Sequence, residues 1–145
     1  MTLSFRNLTV DPSEPVRDWP TEGVQAALER GDLGHWQRLT AEIRQDPWGR
    51  TARQVEEVLT HSRPYGVAEL MERVIARARE RAAAAERETV ADEIRRAIER
   101  SGMTRAQLAS LLGTSASRLS TYAGGRVTPS AAFMVRLRRV LERMR

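Results

Sequence analysis

Helix-start and helix-stop residues divide the last part of the chain into short segments of regular length. The stops contain glycine, and they fall at Ser101-Gly102, Gly113 and Gly124-Gly125. The starts contain hydroxyl residues that can cap a helix, and they fall at Thr104, Ser115 and Thr128-Pro129-Ser130. Gly113 stands where a tight turn needs a positive backbone φ angle. This pattern predicts four helices over residues 89–145 and no strand.

Apolar residues recur within each of these segments at the spacing of a helix. They are Val90, Ile94, Ala97, Ile98, Leu108, Leu111, Leu112, Leu119, Tyr122, Phe133, Leu137, Val140 and Leu141. Steps of three or four residues place such side chains on one face of a helix. We therefore expect a small all-α domain with Leu108, Leu112, Leu119, Tyr122 and Leu137 in its core, and we assign these five residues no other function.

The order of caps, leucines and glycines resembles the helix-turn-helix of the lambda-repressor-like, or Xre, family. The similarity runs from Met103 to Ser115 as MTRAQLASLLGTS and from Ala116 to Arg126 as ASRLSTYAGGR, and it ends with Thr128-Pro129-Ser130. It covers a little over a third of the chain. The resemblance implies a DNA-binding domain whose second motif helix, residues 115–124, lies in the major groove.

The resemblance also implies which residues contact DNA. Those that would project toward base edges are Ala116, Ser117, Arg118 and Thr121. Those that would contact phosphates, through side chains or helix-end amides, are Arg105, Ser115, Ser120, Gly124 and Arg126. Among the first group Arg118 is the strongest candidate, because a guanidinium can donate two hydrogen bonds to guanine O6 and N7.

Positive charge is concentrated in the same part of the chain. All 24 basic residues are Arg; residues 1–63 carry a net charge of −2, residues 64–88 are neutral, and residues 89–145 carry +7. Seven Arg and no acidic residue stand between Glu99 and Glu142. A local surplus of this kind attracts a polyanion. Charge and resemblance thus both predict double-stranded DNA as a partner.

The preceding part of the chain is predicted to be helical after an irregular N-terminal segment, residues 1–20. This segment holds Pro12, Pro15 and Pro20, which oppose a helix. Its apolar residues, which could form a short extended stretch, are Leu3, Phe5, Leu8 and Val10. Residues 21–80 then predict a helical domain that binds a partner or forms dimers. Its helices are expected from Thr21 as cap to Arg30, from Asp32 as cap to about Arg44, from Thr51 to near His61, and from about Gly66 onward.

Residues 81–88 predict a helical linker between this domain and the helix-turn-helix domain of residues 89–145. They include four consecutive Ala, which favour helix but offer little surface to a core. Thr89 with Asp92 resembles a capping box, which would start a new helix at that point. The alternative is one uninterrupted helix of some 35 residues, roughly 50 Å long at 1.5 Å per residue.

Residues that commonly carry catalysis or bind metals are few and isolated. Cysteine is absent, and His35 and His61 are the only histidines. Glu56 and Glu57 are adjacent in a predicted helix and so point in different directions. No glycine-rich phosphate loop is present. We therefore expect a protein that is not an enzyme and that uses no metal and no cofactor.

No apolar run approaches the length of a membrane span, and no signal peptide is evident, so we expect a cytoplasmic protein without a membrane partner.

Three tryptophans, Trp19, Trp36 and Trp48, lie close together in the sequence. We interpret them first as core residues; the alternative is that they anchor a protein contact.

The sequence supports two main hypotheses for the function of the protein. The first is a sequence-specific transcriptional regulator, a homodimeric repressor that reads DNA with residues 115–124. The alternative is an antitoxin that binds a toxin through its N-terminal domain and regulates its own operon. A small ligand bound by the N-terminal domain is a third, weaker hypothesis.

Overall fold

The computed structural model describes residues 3–5 and 10–145, and these residues form helices and no strand. A short 3₁₀ turn, Val16–Asp18, precedes the α-helices. The helices are α1 (Thr21–Arg30), α2 (Leu33–Gln45), α3 (Arg50–Leu59), α4 (Val67–Ser101), α5 (Arg105–Leu112), α6 (Ala116–Ala123) and α7 (Ala131–Arg143). The all-α prediction is therefore confirmed. None of the described helices carries an apolar stretch long enough to cross a membrane.

The chain divides into two compact units, an N-terminal unit, Met1–Ala82, and a C-terminal unit, Ala83–Arg145. Helix α4 contributes its first part to the N-terminal unit and the remainder to the C-terminal unit. It continues without a break through Thr89, whose Oγ1 donates a hydrogen bond to the Ala85 carbonyl, 2.9 Å away. A hydroxyl bonded to the preceding turn is inside a helix and not at its start. The interpretation of Thr89 as a cap is therefore wrong, because α4 is one helix from Val67 to Ser101.

The core of the N-terminal unit is built on Trp19, which is fully buried. Its indole Nε1 donates to the Glu14 carbonyl, and its own carbonyl accepts a hydrogen bond from Gln54 Nε2 at 2.9 Å. Phe5 packs edge-on against the Trp19 ring with centroids 5.2 Å apart. The irregular N-terminal segment is thus fixed to α3 by a buried aromatic ring. Of the apolar residues expected in an extended stretch, Leu8 lies outside the described residues.

The other two tryptophans differ from Trp19 in exposure. Trp36 is half-buried, and its Nε1 donates to the Ala27 carbonyl at 2.9 Å. Trp48 is 57% exposed, and the Arg79 guanidinium lies over its ring, 4.6 Å from the centroid. The core interpretation is confirmed for Trp19 and wrong for Trp48, because the turn before α3 places that side chain on the surface.

Helix starts in the N-terminal unit follow the sequence signals in part. Asp32 caps α2 as predicted, and His35 completes a capping box with it. α1 begins at Thr21, but Pro20 holds the cap position and no side chain caps the helix. α3 begins at Arg50, one residue before Thr51. Thr51 cannot serve as a surface cap because its side chain is packed in the core, with 3% of its surface exposed.

The C-terminal unit packs the end of α4, α5, α6 and α7 around one apolar core. Its fully buried side chains are Ile94, Leu108, Leu112, Leu119 and Leu137. The predicted hydroxyl caps are confirmed: Thr104 Oγ1 accepts from Gln107 N at 3.1 Å, and Ser130 Oγ accepts from Phe133 N at 3.1 Å. Gln107 Oε1 in turn accepts a hydrogen bond from Thr104 N, which completes a capping box at α5. Local hydrogen bonds thus set where each helix begins.

Candidate nucleic-acid interface

The turn between α5 and α6 has the backbone conformation that the sequence predicts. Gly113 is left-handed, with φ 72° and ψ 32°. After it, the Thr114 amide donates to the Ala109 carbonyl at 3.0 Å, so the end of α5 stays hydrogen-bonded as the chain reverses. Ser115 then caps α6 by accepting a hydrogen bond from Arg118 N at 3.1 Å. α5 and α6 are therefore joined by a short turn in a helix-turn-helix.

The four residues expected to contact bases begin at the first turn of α6. Leu119 and Ala123 are buried and fix which face of α6 meets the core. Ser117 and Arg118 are exposed, and Thr121 is half-buried one turn beyond Ser117. Its Oγ1 donates to the Ser117 carbonyl at 3.0 Å. Ala116 is half-buried at the start of the helix. The structure thus groups Ser117, Arg118 and Thr121 on the outer side of α6 and leaves Ala116 nearer the core.

The residues expected to contact phosphates lie at the ends of α5 and α6. Arg105 Nη1 donates to Ser120 Oγ at 2.9 Å, so two of these candidates contact each other. Ser115 and Arg126 are exposed at opposite ends of α6. The Gly124 amide is already used at the end of α6, where it donates to the Ser120 carbonyl at 2.9 Å. The Gly124 amide is therefore not free to donate to a phosphate. The guanidinium groups of Arg105 and Arg126 still have N–H donors available.

Arg95 is a positioning residue that the sequence did not indicate. Its Nη1 donates to the Ala123 carbonyl at the end of α6, 2.7 Å away. Its Nη2 lies 2.7 Å from Glu88 Oε1. Arg95 therefore connects α4 to the C-terminal end of α6. A cation beside the last carbonyls of a helix is favourable. The two residues joined by the hydrogen bond are 28 positions apart, so no local pattern could reveal it.

Three carboxylates on α4 in the C-terminal unit form ion pairs with arginines, and they are Glu88, Asp92 and Glu93. Glu93 accepts hydrogen bonds from Arg138 on α7, with the closest atoms 2.9 Å apart, and Asp92 pairs with Arg96 at 3.0 Å. The hydrogen bond from Arg138 lowers the pKa of Glu93 below its usual value, despite the opposing effect of partial burial. No acidic residue occurs between Glu99 and Glu142. The positive charges of Arg105, Arg118 and Arg126 are thus left uncompensated on one small domain.

The isolated residues considered for catalysis have structural partners. His35 belongs to the capping box of α2, and Glu56 accepts two hydrogen bonds from Arg79. His61 Nε2 lies 3.4 Å from Gln25 Oε1 on the surface. Within residues 3–5 and 10–145, no group of three or more His, Asp or Glu side chains is arranged to hold a metal ion.

A family model described as a helix-turn-helix domain matches residues 68–145. This span includes all of α5, α6 and α7 and nearly all of α4. No curated protein and no solved structure matches the chain.

Proposed function

The chain belongs to the helix-turn-helix domain family, and from this premise we propose that it is a sequence-specific transcriptional regulator of the lambda-repressor-like type. In this proposal α6 enters the major groove of double-stranded DNA. Ser117, Arg118 and Thr121 read base edges, with Ala116 beside them at the start of the helix. The observation that supports this most is the outer side of α6, where the Arg118 guanidinium is exposed and pairs with no carboxylate of the described residues.

Contacts to phosphates would fix the position of α6 in the groove. We assign this role to the side chains of Arg105, Ser115, Ser120 and Arg126. Gly124 has the weakest claim among the candidates, because its amide already donates within α6. Such contacts supply most of the affinity, and they carry no sequence information themselves.

We further propose that the protein acts as a dimer in the cytoplasm and represses transcription by occluding a promoter. One small helix-turn-helix buries little DNA surface, and two motifs on half-sites one helical turn apart gain affinity and selectivity. The N-terminal unit is the candidate for dimerisation; its 12 Arg and 13 acidic residues leave it nearly neutral. The proposal contains no catalytic step, metal or cofactor.

Binding to the DNA upstream of the protein's own gene tests the central proposal. The full chain is titrated with that duplex and with a scrambled duplex of equal length, over a series of salt concentrations. We expect selectivity for the upstream duplex that persists near physiological salt. If both duplexes bind equally and binding is lost as the salt concentration rises, the protein binds DNA only through non-specific electrostatic attraction, and the proposal of sequence-specific binding is wrong. Analytical ultracentrifugation of the same samples tests whether two chains bind one site.

An antitoxin is the alternative function. It is supported by exposed apolar side chains on the N-terminal unit: Leu33, Trp48 and Tyr65 are each more than half exposed. It is weakened because Trp19 is buried and Trp36 is half-buried, so the three tryptophans do not form one exposed patch. Selective binding of the upstream duplex only in the presence of a neighbouring gene's product would favour this alternative over the free repressor.

A further inference from the structure

Four arginines of the N-terminal unit line one groove between the end of α2 and α4. Arg44 lies in the last turn of α2, and Arg73, Arg77 and Arg81 follow at successive turns of α4. The apolar side chains of Leu70, Val74 and Ala78 form the remainder of the lining. The cavity has a volume of about 230 Å³, and a second cavity of about 300 Å³ shares Arg44 and Arg81 with it. Within the part of the chain that the structure describes, no carboxylate lines either cavity.

Among the described residues, these four guanidinium groups lack the acidic partner that two other arginines of the same unit have. Arg63 pairs with Glu72, and Arg79 pairs with Glu56. Among the described residues, no carboxylate oxygen lies within 4.0 Å of the guanidinium nitrogens of Arg44, Arg73, Arg77 or Arg81. Like charges one turn apart on a helix repel each other. An anion in the groove would relieve this repulsion.

The spacing of the arginines favours an anion with several linked charges. Three of them follow one face of α4 in steps of four residues, which is about 6 Å per step for an α-helix. Arg44 faces them from a second helix. Guanidinium groups bind phosphate oxygens through paired hydrogen bonds. The row from Arg73 to Arg81 is about 12 Å long at 1.5 Å per residue, which is longer than a single phosphate, whereas linked phosphates can extend along it.

The concave shape favours a small ligand over a DNA duplex. The larger cavity is at the lower end of the volume range of small-ligand sites, about 300 to 1,000 Å³. A duplex, whose major groove alone is about 12 Å wide, is too broad to enter between two neighbouring helices and would contact only the rim. We propose that Arg44, Arg73, Arg77 and Arg81 bind a small anion that carries two or more linked phosphate groups. This site is separate from the candidate interface on α5 and α6.

Calorimetric titration of the full chain with orthophosphate, pyrophosphate and tripolyphosphate tests the proposal. We expect saturable binding of one equivalent, with affinity that increases from orthophosphate to tripolyphosphate. The variant Arg73→Gln/Arg77→Gln keeps good helix formers on α4 and should bind tripolyphosphate weaker by about tenfold or more, since each charge-assisted pair of hydrogen bonds is strong. Arg44→Gln changes the opposite wall from a different helix and should weaken binding as well.

Two matched variants locate the site. Arg50→Gln/Arg53→Gln removes the same two charges from α3, outside the groove, and should bind tripolyphosphate as the parent does. Arg105→Gln/Arg126→Gln should weaken DNA binding and leave tripolyphosphate binding unchanged. Absent saturable binding, or equal loss in the α3 variant, would overturn the proposal. Loss in Arg105→Gln/Arg126→Gln would also overturn it, because the phosphate chain would then occupy the DNA-binding surface. Circular dichroism of each variant verifies the helix content.

Discussion

Arg105 on α5 donates a hydrogen bond from Nη1 to Ser120 Oγ on α6, 2.9 Å away. The contact joins the two helices of the helix-turn-helix on their exposed side. It also brings together two side chains that are both candidates for phosphate contacts. One guanidinium has several further donors, so Arg105 can hold α6 and bind a phosphate simultaneously.

Replacing Arg105 with Ala should weaken binding to all DNA sequences to a similar degree. A phosphate contact is sequence-independent, and its loss should make the negative slope of log K against log salt less steep by about one. Titration of the upstream and scrambled duplexes over a salt series measures both effects. The control is Ser120→Ala, which removes the hydrogen bond and retains the charge. An equal change of slope in Ser120→Ala would show that Arg105 acts by positioning α6 and not by contacting a phosphate.

Replacing Arg118 with Ala should reduce the preference for one sequence. A guanidinium that reads guanine discriminates against the wrong base by about 1–3 kcal/mol. We therefore expect the affinity for the upstream duplex to decrease by this amount, while the affinity for scrambled DNA changes little. A competition assay with duplexes that differ at single positions identifies the base involved. Unchanged selectivity would exclude Arg118 from base recognition.

The left-handed backbone of Gly113 predicts a stability cost for any side chain at that position. Its φ is 72°, and Gly113→Ala should lower the free energy of unfolding by about 1–2 kcal/mol. Space is not the cause, because a Cβ at Gly113 would meet only Arg136 Nη1 at an ordinary 3.5 Å. The matched control is Gly124→Ala, whose φ of −79° suits any residue. Urea unfolding of both variants tests this, and equal stabilities would contradict the backbone argument.

Two threonines, Thr104 and Thr89, provide a test of where the helices begin. Thr104→Ala removes the cap of α5 and should cost about 0.5–2 kcal/mol of stability. Thr89 lies inside α4, so Thr89→Ala should be neutral or stabilise the protein by up to about 0.7 kcal/mol through helix propensity. Thermal unfolding of the two variants under the same conditions compares them. A similar loss in both variants would mean that a helix starts at Thr89 in solution.

Local signals account for the parts of the fold that could be predicted. The caps Thr104, Ser115 and Ser130 each accept a hydrogen bond from an amide three residues later, and Gly113 supplies the turn. Such contacts depend on only a few neighbouring residues, so the sequence is enough to predict them. The sequence predicts that Thr51 starts α3, but its side chain is buried in the core. Packing with distant residues therefore outweighs the local capping signal, and α3 begins one residue earlier, at Arg50.

Long-range contacts account for what the sequence did not reveal. The hydrogen bond from Arg95 to the Ala123 carbonyl joins residues 28 positions apart, and the pair Arg138–Glu93 joins residues 45 positions apart. The arginine groove was hidden for the same reason, because Arg44 meets the others only when α2 lies beside α4. The net charge of the N-terminal unit is nearly zero, so nothing in the sequence indicated that four arginines lie together. Net charge summed over a segment therefore does not reveal clusters of like charge that form when the segment folds.

The ion pair between Glu93 and Arg138 predicts a pH-dependent contribution to stability. The Arg138 hydrogen bond lowers the pKa of Glu93 in the folded state, so the folded protein binds a proton there less readily than the unfolded chain. The contribution is present above the unfolded pKa of about 4.3 and is lost as the pH falls through the lower folded pKa. Because both side chains are partly exposed, solvent screening keeps it small.

Arg138→Gln should therefore lower the melting temperature by no more than a few degrees at pH 7. The difference from the parent should shrink as the pH falls below 4, because protonated Glu93 no longer pairs with Arg138. Arg139→Gln is the control, since Arg139 is exposed and forms no ion pair among the described residues. Melting curves from pH 7 to pH 3 compare the three proteins. A difference between parent and Arg138→Gln that is constant with pH would show that Arg138 stabilises α7 by packing and not through the Glu93 carboxylate.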